Sequence, residues 1–126
     1  MTLKISIRHV ENVAVVDLSV RVTLGEASGD LRDTIRDLVN KDDKNILLNL
    51  AGVSYIDSSG LGEMVGAFAT VNNRGGHLKL LGLQQRVHDL LQLTKLYSVF
   101  EIFTDETAAI QAFQPRAATE SGGAWA

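Results

Sequence analysis

The chain has no cysteine, a single proline and a single tryptophan in 126 residues. Without cysteine there are no disulfides and no thiolate chemistry, which fits a reducing compartment. Aromatic residues make up only 6% of the chain, and Pro115 and Trp125 both fall in its last dozen residues. The net charge is only -3, and Lys and Arg are scattered rather than clustered, which argues against nucleic acid as a partner. No apolar run approaches the ~18–20 residues that a membrane-spanning helix needs. The N-terminus alternates in polarity and lacks the apolar core of a signal peptide. These absences lead to the expectation of a soluble, cytoplasmic protein with no membrane insertion.

Several kinds of chemistry lack their residues. His9, His77 and His88 show no paired-ligand spacing, and there is no cysteine to complete a metal site. Asp42-Asp43 reads as a solvated turn, since the rest of a calcium loop is missing. Arg74-Gly75-Gly76 is not followed by the Lys-Ser/Thr of a phosphate loop. A hydrolase elbow requires Gly-x-Ser-x-Gly; neither Ser58 nor Ser59 has a glycine two residues before it. No metal, cofactor or catalytic residue is expected, and the chain does not read as an enzyme.

What is present is a hydrophobic content of 45%, enough for one globular core. Leu3, Ile5 and Ile7 alternate with polar residues, the period of a half-buried strand. Asn12 marks a turn, and Val13 to Leu18 is nearly continuous apolar, as in a more central strand. Val20, Val22 and Leu24 keep the alternation until Gly25-Glu26-Ala27-Ser28-Gly29 breaks it. Leu31, Ile35, Leu38 and Val39 follow helical spacing, with Asp30 and Asp33 in the early turns. After a polar connection, Ile46 to Leu50 forms a short buried strand. Leu61, Val65, Phe68 and Val71 recur near helical spacing until Asn72 to Gly76 stops them. Leu78, Leu80 and Leu81 give a strand, Val87, Leu90 and Leu91 a helix, and Val99 to Phe103 a strand of β-branched and aromatic residues. Thr104 is placed to cap a last helix, with Ile110 and Phe113 on its inner face.

The order is two strands, a helix, then three strand–helix repeats. It predicts an α/β fold in one domain over residues 1–114, with a mixed, mostly parallel sheet of about five strands and about four helices. Residues 115–126 are small, polar and glycine-containing and read as a disordered tail, so Trp125 is not expected in the core.

The segment Tyr55-Ile56-Asp57-Ser58-Ser59-Gly60-Leu61-Gly62 stands out. It joins the central strand to a helix, at the carboxyl end of a strand, where open α/β sheets place functional residues. The plain reading is that Ser58 or Ser59 caps the helix. The capping box is incomplete, because Leu61 and Gly62 stand where Glu or Gln belongs. Two early glycines each weaken a helix by roughly 0.5–1 kcal/mol relative to Ala; close approach of a partner or tight packing explains their presence. Free amides at the helix start favour negative charge, so a phosphate on Ser58 would be tolerated.

This pattern resembles the STAS domain, and within it the bacterial anti-sigma factor antagonists, over roughly residues 3 to 113. The resemblance rests on Ile46 to Leu50, on Val53 to Gly62, on the Gly75-Gly76 pair before Leu78-Lys79-Leu80, and on Val87 to Leu96. It implies that Ser58, the first hydroxyl after Asp57, is a phosphoacceptor. It implies that an anti-sigma factor serine kinase binds the unphosphorylated form and releases its sigma factor. ATP-dependent phosphorylation then ends the complex, and a metal-dependent serine phosphatase restores it. Asp57 and Ser59 would support the site, and Gly60 and Gly62 would allow close contact, with Leu61 between them. Where many relatives carry Gly-Glu-Leu-Asp, this chain has Val20-Arg21-Val22-Thr23; its only nearby Gly-Glu is Gly25-Glu26, which makes Glu26 a candidate partner contact in an altered loop. STAS domains also serve as unphosphorylated structural or interaction subunits of transport and signalling assemblies, an alternative reading of the same residues.

Overall fold

The computed structural model describes residues 3–20 and 28–113. Strands β1 (Leu3–Val10) and β2 (Val13–Val20) form an antiparallel hairpin whose turn puts Glu11 in the left-handed region, φ 56°. Helix α1 (Ser28–Asn40) follows; it starts inside the stretch that reads as a break in the sequence. Strand β3 (Asn45–Val53) leads to α2 (Ser58–Asn73), β4 (His77–Leu81) to α3 (Gln85–Leu93), and β5 (Ile102–Phe103) to α4 (Glu106–Ala112). The sheet order is β1-β2-β3-β4-β5, parallel from β2 onward, so β3 is central as its apolar run implies. The single-domain, mixed-sheet architecture agrees with the pattern of the sequence.

Alternation along each strand divides the core between the two faces of the sheet. Ala14, Val16, Leu18, Ile46, Leu48 and Leu80 pack under α1, α2 and α3 in the larger cluster. Val13, Val15, Leu47 and Leu81 turn the other way, onto Ala109, Ile110 and Phe113 at α4. In α2 the buried line is Gly60, Met64, Ala67 and Val71. The apolar spacing Leu61, Val65, Phe68 and Val71 is offset from it, and Val65 is 37% exposed. The small Gly60 and Ala67 lie on the inner face, a packing preference that hydrophobicity alone does not reveal.

Two other expectations change. The strand at Val99–Phe103 shrinks to Ile102–Phe103, because a 3-10 turn at Leu96–Ser98 precedes it and Phe100 turns inward. The Phe100 ring meets Phe68 edge to face at 5.5 Å, so packing overrides β propensity there. The cap of α4 is Asp105, whose side chain accepts from the Ala108 N–H at 2.9 Å, and Thr104 lies one residue too early. Glu26, the strand extension beyond Val20, and the tail with Trp125 lie outside the described residues.

Candidate functional site

The site is assembled from the carboxyl end of β3. Its pairing with β2 slips there: Asp17 stands opposite Asn49, but Ser19 stands opposite Gly52. A Cβ on Gly52 would lie 2.7 Å from the Leu18 carbonyl oxygen, so the close approach at this irregularity requires glycine. Asn49 braces the bend, donating to Asp17 at 2.8 Å and accepting from the Ala51 N–H at 3.1 Å. The Gln84 amide, just before α3, donates to the Ala51 carbonyl at 2.7 Å. Ile56 is fully buried and pins the loop that follows, while its neighbour Tyr55 is 41% exposed.

Asp57 caps α2. Its carboxylate accepts from the Gly60 N–H at 2.8 Å, and its carbonyl accepts from the Leu61 N–H at 2.9 Å. The cap is therefore not Ser58 or Ser59. Both serines occupy the first helical positions, both are exposed, and neither hydroxyl makes a hydrogen bond among the described residues. At 100° per residue, Ser58 shares an outward line with the exposed Gly62, Val65 and Ala69. Ser59 is turned toward α1, on the side of Glu63, Gly66 and Thr70. A Cβ on Gly62 would meet nothing within 4 Å, so nothing among the described residues requires glycine there. Gly60 is buried and Leu61 is partly buried against the core, so those two serve packing within the chain.

Beside the serines, Arg32 of α1 grips Glu63 of α2 with two hydrogen bonds, Nε to Oε1 at 2.8 Å and Nη2 to Oε2. The guanidinium holds the Glu63 carboxyl below the usual carboxylate range, and Glu63 raises Arg32 in turn. This pair lines a groove of about 240 Å³ between the helices, together with Arg36, Gly62, Gly66 and Thr70. The pairing depends on how α1 and α2 meet, so no local motif announces it.

Among the described residues no hydrogen bond joins a histidine to Ser58 or Ser59. His77 begins β4 opposite Asn45, at the end of the sheet remote from Ser58. The His88 Nε2 lies 3.3 Å from the Tyr97 hydroxyl, and the two rings pack edge to face. Among the described residues no group of three or more His, Asp or Glu side chains could hold a metal ion. No helix among them is long and apolar enough to cross a membrane.

A mixed sheet with three helices on one face and one on the other, and an exposed serine at the amino end of the helix after the central strand, defines the class. The STAS domain model matches residues 4–109, and the chain belongs to that family. It is 29% identical over 115 residues to the anti-sigma F factor antagonist of Paenibacillus polymyxa, covering 87% of this chain and 94% of that protein. It is 34% identical over 90 residues to the anti-sigma-B factor antagonist of Bacillus subtilis, covering 71% and 69%. Among solved structures it resembles the Bacillus anti-sigma factor antagonist SpoIIAA. The unphosphorylated form aligns with a TM-score of 0.72 and 22% identity over 86% of this chain and 95% of that one. The phosphorylated form gives 0.68 and 19% over 90% and 100%. At this identity the structures speak for the fold, and the named relatives speak for a shared role in anti-sigma factor regulation.

Proposed function

We propose that this chain is a cytoplasmic, non-enzymatic anti-sigma factor antagonist, switched by phosphorylation of Ser58. The unphosphorylated chain binds an anti-sigma factor that is itself a serine kinase, and so frees the sigma factor. The kinase transfers the γ-phosphoryl group of ATP to the Ser58 hydroxyl oxygen, and ADP leaves. A metal-dependent serine phosphatase hydrolyses the phosphoester and restores binding.

The observation that carries this reading is the freedom of Ser58. Asp57 has taken the cap, which leaves the Ser58 hydroxyl exposed at the start of a 16-residue helix. Asp57 fixes the turn, Ser59 extends the polar tip, and Gly62 leaves room for a partner backbone. Gly60 and Leu61 support the site from below, and Glu26 is a candidate contact from the neighbouring loop. A phosphate adds about -1.5 to -2 charges at neutral pH, comfortable at a helix start and costly inside a closed interface. Taking binding from mostly on to mostly off requires roughly 5.5 kcal/mol of differential affinity, a range that one buried dianion approaches.

The test is incubation with the cognate kinase and ATP, followed by intact mass and site mapping. One phosphate at Ser58 is expected. Ser58→Ala should bind the kinase and resist release by ATP, and Ser58→Asp should bind poorly. Equal affinity of wild type and Ser58→Asp would sink the switch. No phosphate with any cognate kinase would favour an unphosphorylated scaffold role.

A further inference from the structure

One turn along α2 from Ser58, the groove between α1 and α2 is open and unevenly charged. Its walls carry three charged side chains, Arg32, Arg36 and Glu63. Glu63 is satisfied, because Arg32 holds both of its carboxylate oxygens. Arg36 is not. The acid paired with it among the described residues is Asp33 on the same helix, at 3.9 Å, which is too long for a hydrogen bond. Arg36 is 58% exposed and Asp33 73% exposed, so water competes for both charges. The five N–H donors of the Arg36 guanidinium thus have no hydrogen-bond acceptor among the described residues.

The facing wall is α2 at Gly62, Gly66 and Thr70. A Cβ on Gly62 or Gly66 would meet nothing within 4 Å, so the packing of α1 on α2 requires neither glycine among the described residues. Both remain there although glycine is among the poorest residues for a helix interior. They leave a cleft free of side chains opposite Arg36. Its volume of about 240 Å³ is below the ~300–1,000 Å³ typical of small-molecule sites and suits one inserted side chain. Gly62 belongs both to this groove and to the outward line of Ser58, about 6 Å away along the helix axis. A partner closed over Ser58 therefore extends into the groove without a gap. A guanidinium fork with no acceptor pairs with a carboxylate through two parallel hydrogen bonds. A cationic side chain would be repelled there, and an apolar one would desolvate Arg36 without pairing it.

We propose that this groove receives one Asp or Glu side chain of the anti-sigma factor kinase, held by Arg36. The inference rests on the reading that the kinase covers Ser58, and it adds a charged anchor beside that contact. A carboxylate fixed there also brings negative charge to the face that a phosphate on Ser58 makes negative, so the two repel.

The test is a titration of the kinase with wild type and variants at low and high salt, with the urea midpoint of each. Arg36→Ala should weaken binding at least about tenfold, and Arg36→Glu more, since like charges then meet. Arg36→Lys keeps the charge without the fork and should fall between wild type and Arg36→Ala. Gly66→Leu fills the groove from an exposed position and should weaken binding without lowering the urea midpoint. Added salt should weaken wild type more than Arg36→Ala. If Arg36→Ala and Arg36→Glu bind as tightly as wild type while Ser58→Asp binds poorly, the anchor is overturned and the switch stands. If Ser58→Asp binds like wild type while Arg36→Glu does not, the switch is overturned and the anchor is supported. Undiminished binding by Gly66→Leu overturns insertion into the groove. Losses of binding that only follow a fall in the urea midpoint overturn the anchor as well. Wild type that binds no cognate kinase overturns both.

Discussion

At the scale of single residues, the site depends on Asp57 doing what either serine could have done. Its carboxylate holds the Gly60 amide, so the two hydroxyls beside it remain available. Replacing Asp57 by Ala should lower stability by about 1 kcal/mol, the usual loss for a helix cap, read as a lower urea midpoint. The glycines separate by role in the same assay. Gly76 is buried, and a Cβ there would lie 2.3 Å from the Lys44 carbonyl oxygen, a backbone atom with little room to move. Gly76→Ala should therefore destabilise by about 1–3 kcal/mol. A Cβ on Gly62 meets nothing, so Gly62→Ala should stabilise the helix by about 0.5–1 kcal/mol. If a partner approaches α2 closely, the same change should weaken kinase binding in a titration. A gain in stability together with undiminished binding would remove Gly62 from the interface. The special character of the Asp-Ser-Ser-Gly-Leu-Gly run was legible in the sequence; which residue caps the helix was not, since Asp and Ser are equally good caps.

At the scale of elements, the attachment of α4 shows how contacts distant in sequence hold the smaller face of the sheet. Arg8 of β1 donates to Asp17 of β2 at 2.7 Å and to Glu106 of α4 at 2.6 and 2.8 Å. The Arg8 hydrogen bond is the main cause that holds the Asp17 carboxyl low, with Asn49 adding to it against partial burial. The same guanidinium holds Glu106 low. Folded-state pKa values below the unfolded ones mean stability that is present above the ordinary carboxylate pKa of about 4 and lost as pH falls through the folded values. The urea midpoint should accordingly drop between neutral pH and about pH 3, and Arg8→Ala should show a shallower drop at low salt. All three side chains are partly exposed, so solvent screening keeps the effect small. An unchanged acid slope in the variant would deny the cluster any part in docking α4. The last strand carries the same lesson. Val99 to Phe103 has strand composition, yet Phe100 turns inward onto the Phe68 ring, and only two residues pair with β4.

At the scale of the whole molecule, the sheet and its helices form a frame on which the start of α2 is a local feature. A charge placed there should change recognition without changing the fold. Ser58→Asp should unfold within about 0.5 kcal/mol of wild type, the ordinary range for an exposed substitution, while, on the proposed switch, losing affinity for the kinase. A much larger loss of stability would mean that the frame, and not the interface, reads the charge. By contrast, Leu48→Ala in the centre of β3 should cost about 2–5 kcal/mol in the same measurement, since Leu48 is fully buried under the helices. The sequence by itself determined the class, because strand period, helix period and their alternation are local and survive in one dimension. It also marked the Ser58 segment, whose residues are adjacent along the chain. Only the tertiary structure decided the inner face of α2, the length of β5, and the Arg32–Glu63 clasp with its groove. Each of these is a choice between competing contacts made by residues far apart in sequence. Such choices are settled by how closely two elements can approach, a quantity that no local pattern of hydrophobicity contains.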